Sequence, residues 1–268
     1  MSIRAAPPYS AAVALCAWLV MLFVLLPVAF IALYAFNDTA YLALPPRGLT
    51  LHWFANFFAN TRFRDALLSS LVIAFAVTPA ALLVALPAAI ALVRYRFPGR
   101  ELVNVALMSP LVVPGVVVGI SFLSLAAALG LGLGTSTLIV AMTCLAFPFA
   151  LRALVANLHG LDPALEDAAR NLGATRLRAF ALVTLPQLKP GVLAGGIFVF
   201  VEAIDNFSTA VFLTNSRTTT LPVEAFSYIR DFDDPTVAAM AVLLMAFSAV
   251  LVLAIDRLVG LDRLLDLH

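Results

Sequence analysis

The sequence predicts an all-α, polytopic membrane protein with six transmembrane helices and both termini in the cytoplasm. Three observations support this. Of the 268 residues, 63% are hydrophobic and only 12% are charged, too few polar groups to wet the surface of a soluble domain. Six stretches are apolar over the roughly 20 residues a helix needs to cross the hydrocarbon. The basic residues also divide unequally. One side receives Arg4, Arg94, Arg96, Arg100, Arg152, Arg170, Arg176, Arg178, Lys189, Arg257 and Arg263, and the other only Arg47, Arg62, Arg64, Arg217 and Arg230. The richer side is cytoplasmic by the positive-inside rule.

The first span, Ala11 to Phe36, follows Arg4. Its length and its lack of a small-residue cleavage site predict a retained helix, not a signal peptide. The segment LTLHWFANFF then sets Leu51, Trp53, Phe54, Phe57 and Phe58 at near-helical spacing, predicting a short helix anchored by aromatic rings at the outer interface. The second span, Ala66 to Val93, carries Pro79 and Pro87. The third, Leu102 to Leu129, carries Pro110, Pro114, Gly115 and Gly119. Such prolines are tolerated where neighbouring helices or water satisfy the freed carbonyls. The fourth, fifth and sixth spans are Thr135 to Leu158, Leu188 to Leu213 and Pro235 to Leu258. Gly115-xxx-Gly119 and Gly191-xxx-Gly195 predict close helix approach. Cys16 and Cys144 sit in apolar runs and read as packing residues, without disulfide or metal roles.

The net charge of +1 offers no basic stripe for nucleic acid. No residue set for catalysis or for metal binding is apparent. Intramembrane proteolysis needs an embedded serine and histidine, and His52, His159 and His268 fall in loops or at the terminus. A P-loop needs a glycine-rich turn ending in Gly-Lys-Ser/Thr. The one lysine, Lys189, lies between Leu188 and Pro190.

The cytoplasmic loop over about residues 159–186 is unusually polar for this chain. Asp162 followed by Pro163 predicts a helix start, because Asp caps free N–H groups and Pro suits the first helical position. The helix is expected to reach about Leu172, with Gly173 as a left-handed cap. Thr175 then caps a second short helix ending ahead of Pro186. Leu165, Ala168, Ala169 and Leu172 form one small-residue face, suited to docking into another protein's groove.

These residues carry a family resemblance. DAARNLG, nine further residues and VTLP resemble the EAA motif of ABC importer permeases, matched by Asp167, Ala168, Ala169, Gly173, Val183, Leu185 and Pro186. Asp167 replaces the motif's Glu, with Glu166 one residue earlier, and Val183 replaces its Ile. SPLVVPGVVVGISF, LTLHWFANFF with ALLSSL, and TTTLPVEAFSYIRDFDDPTVAAMAVLL resemble the spermidine/putrescine branch of these permeases. The resemblance implies a type I ABC importer permease fold, with residues 1–268 as a single permease domain in a bacterial inner membrane.

It also implies partners. The cytoplasmic helix would insert into an ATP-binding cassette ATPase dimer, which uses ATP and Mg, whereas this chain binds no cofactor. A second permease subunit, homologous but not identical, and a periplasmic or extracellular solute-binding protein would complete the complex within membrane lipid. Glu166, Asp167, Ala168, Ala169, Gly173, Leu185 and Pro186 are the implied ATPase-coupling residues.

Glu202 and Asp205 are expected midway along the fifth span. Their spacing puts both on one helix face, with Asn206 beside Glu202. At roughly 1.5 Å per residue from Pro190, Glu202 lies about 18 Å into the membrane. Carboxylates facing lipid cost a few kcal/mol (~3), so these face a cavity or a partner. In one reading they line a path for a cation such as a polyamine, with Phe198, Phe200 or Phe207 offering ring faces if turned inward. In the other they pair with the second permease or hold the helix register. Ferric ion or an aminoalkylphosphonate is the alternative cargo for the same machinery. A stand-alone secondary transporter has no use for a docking loop and commonly shows an internal repeat, which this chain lacks.

Overall fold

The computed structural model describes residues 9–40 and 48–259. The expectations resting on Arg4, Arg47, Arg263, His268 and the two termini lie outside the described residues. Among the described residues, helices are joined by turns, and one isolated bridge pairs Asn37 with Leu49. The chain divides into two compact units, Met1–Asn60 with Tyr228–Phe247, and Thr61–Ser227 with Ser248–His268.

The first unit contains α1, Tyr9–Ala35, and α2, His52–Ala59. α1 shows its apolar surface nearly all round, with Trp18 and Phe23 exposed. That is the state of a helix whose solvent is lipid. α2 is the expected aromatic helix. Trp53 Nε1 donates to the Asn37 carbonyl at 2.7 Å, the Phe36 and Phe54 rings lie 5.0 Å apart, and Phe57 is buried while Phe58 is exposed. In the same unit Asp234 accepts from the Thr236 N–H and from the Tyr228 hydroxyl, each at 2.8 Å. The first of these bonds caps the start of the final helix. Asn56 Nδ2 donates to Thr236 Oγ1 at 2.8 Å.

The second unit is built on α3, Thr61–Arg94, which continues through Pro79 and Pro87. After it come α4, Arg100–Met108, with a 3-10 turn at Ser109–Leu111, α5, Gly115–Ala128, and α6, Thr135–His159. The polar loop over about residues 159–186 holds α7, Pro163–Asn171, and α8, Arg176–Ala179. A π turn at Phe180–Thr184 leads to α9, Leu185–Gln187. Next are α10, Lys189–Asp205, α11, Phe207–Leu213, and α12, Leu221–Asp231, which passes into the first unit; α13, Thr236–Val259, is the final helix.

The core lies where α3, α6 and α10 pack together. α3 presents Val77, Ala81, Ala85 and Ala89, one per turn and all fully buried. Small residues in that register bring helix backbones close. α10 answers with glycines. A Cβ at Gly195 would lie 3.1 Å from the Ala150 Cα, and one at Gly191 would lie 2.8 Å from the Asn157 side chain. The expected close approach at Gly191-xxx-Gly195 is therefore against α6.

Two of the expected spans are not continuous. The third, Leu102 to Leu129, bends by 96° between the 3-10 turn and α5. Pro114 has no N–H to continue the ladder, so the chain stops and restarts at Gly115. The fifth, Leu188 to Leu213, breaks at Asn206, whose ψ of 103° is extended. Neither Pro nor Gly causes this second break. The Asn206 side chain accepts from the Thr209 N–H at 3.0 Å and so caps a new helix.

The distal halves of the two broken spans pack on each other. A Cβ at Gly115 would run into the Ser208 side chain, one at Gly119 would lie 2.7 Å from the Phe212 ring, and Thr209 Oγ1 donates to the Gly115 carbonyl at 3.0 Å. Among the described residues three helices are individually long and apolar enough to cross a membrane, and up to five spans result if two bent pairs each count as one: Arg100–Leu111 with Gly115–Ala128, and Arg176–Gln187 with Lys189–Asp205, the latter bent by 61°. Cys16 and Cys144 are free thiols, both exposed on the surface of this single chain.

Candidate functional site

The polar loop between α6 and α10 is shaped by its own caps. Asp162 accepts from the Ala164 N–H at 2.9 Å with Pro163 in the first turn, and Thr175 accepts from the Arg178 N–H at 3.3 Å. α7 closes as expected: Gly173 has φ +92°, and the Ala174 N–H reaches back to the Ala169 carbonyl at 3.1 Å. A residue with a Cβ is strained at that φ.

The second helix departs from the expected stop ahead of Pro186. It widens into the π turn and runs on through Leu185–Gln187. Pro186 lacks the N–H for a regular turn, and its ring would crowd the carbonyl four residues back. One wide turn removes the conflict.

One cluster fixes this loop to the helix ends. Glu166 forms an ion pair with Arg94, the last residue of α3. The Thr184 hydroxyl donates to the same carboxylate at 2.7 Å and accepts from Arg94 at 3.2 Å. The Glu166 side chain is only 15% exposed. Burial pushes its carboxyl up, but the bonds from Thr184 and Arg94 together with the arginine charge outweigh that, leaving it below the usual carboxylate range. Asp167, the motif's formal acid, is 69% exposed and makes only an i, i+3 pair with Arg170 at 3.4 Å.

Of the implied coupling residues, the structure thus gives the anchoring contact to Glu166. Ala168 is exposed and Ala169 half-buried, with Leu165 and Leu172 exposed beside them as an uncovered apolar face. Leu185 and Pro186 line a separate groove with Ala181, Lys189, Val192 and Leu193. Arg94 and Thr184 were not singled out in the sequence. Their signals were faint, a basic residue ending the second span and a hydroxyl inside VTLP.

Glu202, Asp205 and Asn206 come together at the break between α10 and α11. Asn206 Nδ2 donates to Glu202 Oε1 at 2.8 Å while its Oδ1 holds the α11 cap. Glu202 is half-buried and Asp205 exposed. Among the described residues neither carboxylate has a cationic partner. Of the three rings considered for the path, Phe200 is buried edge-on against Phe75 at 5.1 Å, Phe207 packs on Phe226 at 5.0 Å, and Phe198 is exposed.

Apolar spans, two of them broken, and a capped polar loop tied by Arg94 to the end of one span are features of a polytopic membrane subunit. The chain belongs to the family described as binding-protein-dependent transport system inner membrane component, whose model matches residues 48–261. It is therefore an integral inner-membrane importer permease. It is 31% identical over 230 residues to the putrescine transport system permease protein PotI of Escherichia coli (strain K12), covering 83% of this chain and 82% of that one. It is 28% identical over 235 residues to the spermidine/putrescine transport system permease protein PotC of Haemophilus influenzae, covering 88% and 91%. In fold it resembles a chain of a bacterial ABC transporter that imports alginate, with a TM-score of 0.71 and 17% identity over 97% of this chain and 98% of that one.

Proposed function

We propose that this chain is a permease subunit of an ATP-driven, binding-protein-dependent importer of polyamines of the spermidine and putrescine class. The observation that carries the substrate class is the pair of carboxylates, Glu202 and Asp205, at the broken helix without a cationic partner among the described residues. A linear polycation offsets that charge, whereas an anionic solute would be repelled by it. Both relatives named above transport polyamines by name. Ferric ion, which also takes carboxylate ligands, is the second cargo consistent with the pair.

Supporting the machinery is the loop with its uncovered apolar face, which suits an ATP-binding cassette ATPase dimer that uses ATP and Mg. A homologous, non-identical permease and an external solute-binding protein complete the proposed complex. The proposed topology has six spans with both termini cytoplasmic, forming one permease domain. A cysteine placed at Ala174 is expected to react with impermeant reagents only from the cytoplasm, and one at Ser216 only from outside. Ser216 serves as the outer probe because Asn215 holds its turn through bonds to Arg217 and Thr218. Reversed labelling overturns the topology. The function is tested by polyamine uptake in cells lacking their own importers and expressing this chain with its neighbouring genes. Uptake is expected, and its absence alongside ferric uptake would replace the cargo.

A further inference from the structure

A charged cavity of about 600 Å³ lies between the cytoplasmic ends of the core helices and the docking loop. Arg94, Arg96, Arg100, His159 and Arg176 line it, against Glu166 and Asp167. Glu166 is matched by Arg94 and Asp167 pairs with Arg170. The guanidinium groups of Arg96, Arg100 and Arg176 have no hydrogen-bond or ion-pair partner among the described residues.

Three unmatched guanidinium groups around one cavity call for an anion. The cavity's place specifies its depth. Arg94 ends a 34-residue apolar helix, His159 ends α6 and Arg100 begins α4, so the cavity sits where spans emerge into the headgroup layer.

A second cavity, of about 420 Å³, adjoins the first. The two share Arg94, Glu166 and Arg176, and the second is otherwise lined by Ile90, Tyr95, Leu177 and Phe180. A charged chamber beside an apolar one fits an amphipathic anion better than a free one.

We propose that this double cavity holds one anionic phospholipid of the inner leaflet, its phosphate among Arg96, Arg100 and Arg176 and its glycerol and first acyl carbons against Ile90, Leu177 and Phe180. Basic pockets between transmembrane helices on the cytoplasmic side suit this chemistry. The lipid joins α3, α4 and the docking loop, beside the Arg94–Glu166 pair.

The test uses the assembled importer purified from membranes containing phosphatidylglycerol and phosphatidylethanolamine, with lipids retained by the permease chain counted by native mass spectrometry. One phosphatidylglycerol per chain is expected to survive delipidation. Each arginine near an anionic headgroup contributes about fivefold, ~1 kcal/mol, so R96Q/R100Q is expected to lower retention about 25-fold. R96K/R100K keeps the charge and is expected to restore most of it, separating loss of the site from loss of fold. R217Q, on the opposite side of the membrane, is the control and should leave retention unchanged.

Two other outcomes overturn the proposal. Displacement of the lipid by millimolar inorganic phosphate, with no preference for phosphatidylglycerol, assigns the cavity to a free anion. Unchanged lipid retention in R96Q/R100Q with loss of the ATPase during purification assigns the arginines to an acidic protein surface.

Discussion

Two acidic pairs, Glu166 with Asp167 and Glu202 with Asp205, meet opposite surroundings in this protein. In the first, the half-buried Glu166 carboxylate is closed by an arginine and a threonine hydroxyl, and its exposed neighbour makes only a contact with Arg170. In the second, among the described residues, the only side chain bonded to either carboxylate is the amide of Asn206. A carboxylate saturated by a fixed cation has little capacity left for a moving one, which supports the proposed role of Glu166, held by Arg94, as a mechanical joint. The second pair, placed where lipid would make bare charge costly, has no such fixed cation among the described residues, which supports its proposed role toward a cation crossing the membrane.

The sharpest way to break the comparison acts on the loop the first pair anchors. Gly173→Asp puts a Cβ and a charge at φ +92°, where α7 must end. The space around that position is open, so within this chain the effect comes from backbone strain and the added charge and not from a clash. Uptake is expected to fall to background while the subunit still reaches the membrane, as measured by transport beside an immunoblot of the membrane fraction. Normal uptake with normal ATPase recruitment would remove the loop from coupling.

Next in size is the second pair. Glu202→Gln and Asp205→Asn keep volume and hydrogen-bonding capacity but remove charge. A charge-assisted bond contributes on the order of 1 to 3 kcal/mol, so each amide is expected to lower uptake per complex about tenfold or more. Capture by the external binding protein should not change. If assembly falls and transport per complex holds, the pair serves the subunit interface.

How far these regions were legible follows from where their information resides. Asp162, Pro163, Gly173 and Thr175 act through bonds to residues two to five positions away, so their roles could be read locally. The bend near Pro114 was visible as a proline but not as a break, because prolines also sit inside α3 without interrupting it. The break at Asn206 was hidden. Nothing in IDNFST forbids a helix, and the stop depends on one amide bonding both Glu202 and the Thr209 N–H. Glu166 was overshadowed by Asp167 because a motif register identifies positions, whereas the ion pair depends on Arg94, far away in sequence.

A smaller effect is expected from opening the joint itself. The Arg94–Glu166 pair is intermediate in exposure, at 30% and 15%. It lies between exposed pairs worth ~0.2–1 kcal/mol and buried ones whose rupture costs ~3–5 kcal/mol. Arg94→Gln and Glu166→Gln are each expected to reduce transport-coupled ATP hydrolysis several-fold, roughly five, and the double variant should be no worse than either single one. Additive losses would mean that the two residues act separately and that the joint is not a unit.

The smallest effect is one of pH, and it distinguishes a closed carboxylate from an open one. Glu166 is held below its usual value of 4.5. The unfolded loop therefore takes up a proton at higher pH than the folded one. The pair's contribution is complete above about 4.5 and is lost as pH falls through the lower folded value. Between pH 5 and 8 the joint is expected to be indifferent to pH. Amide hydrogen exchange in α7, corrected for its intrinsic pH dependence, should be flat across that window and rise only in stronger acid. In Glu166→Gln no such rise should occur, because the amide has no proton to gain. A rise already present at pH 6 in the wild type, or an equal one in the variant, would show that Arg94 does not close this carboxylate, and the contrast with Glu202 and Asp205 would fail.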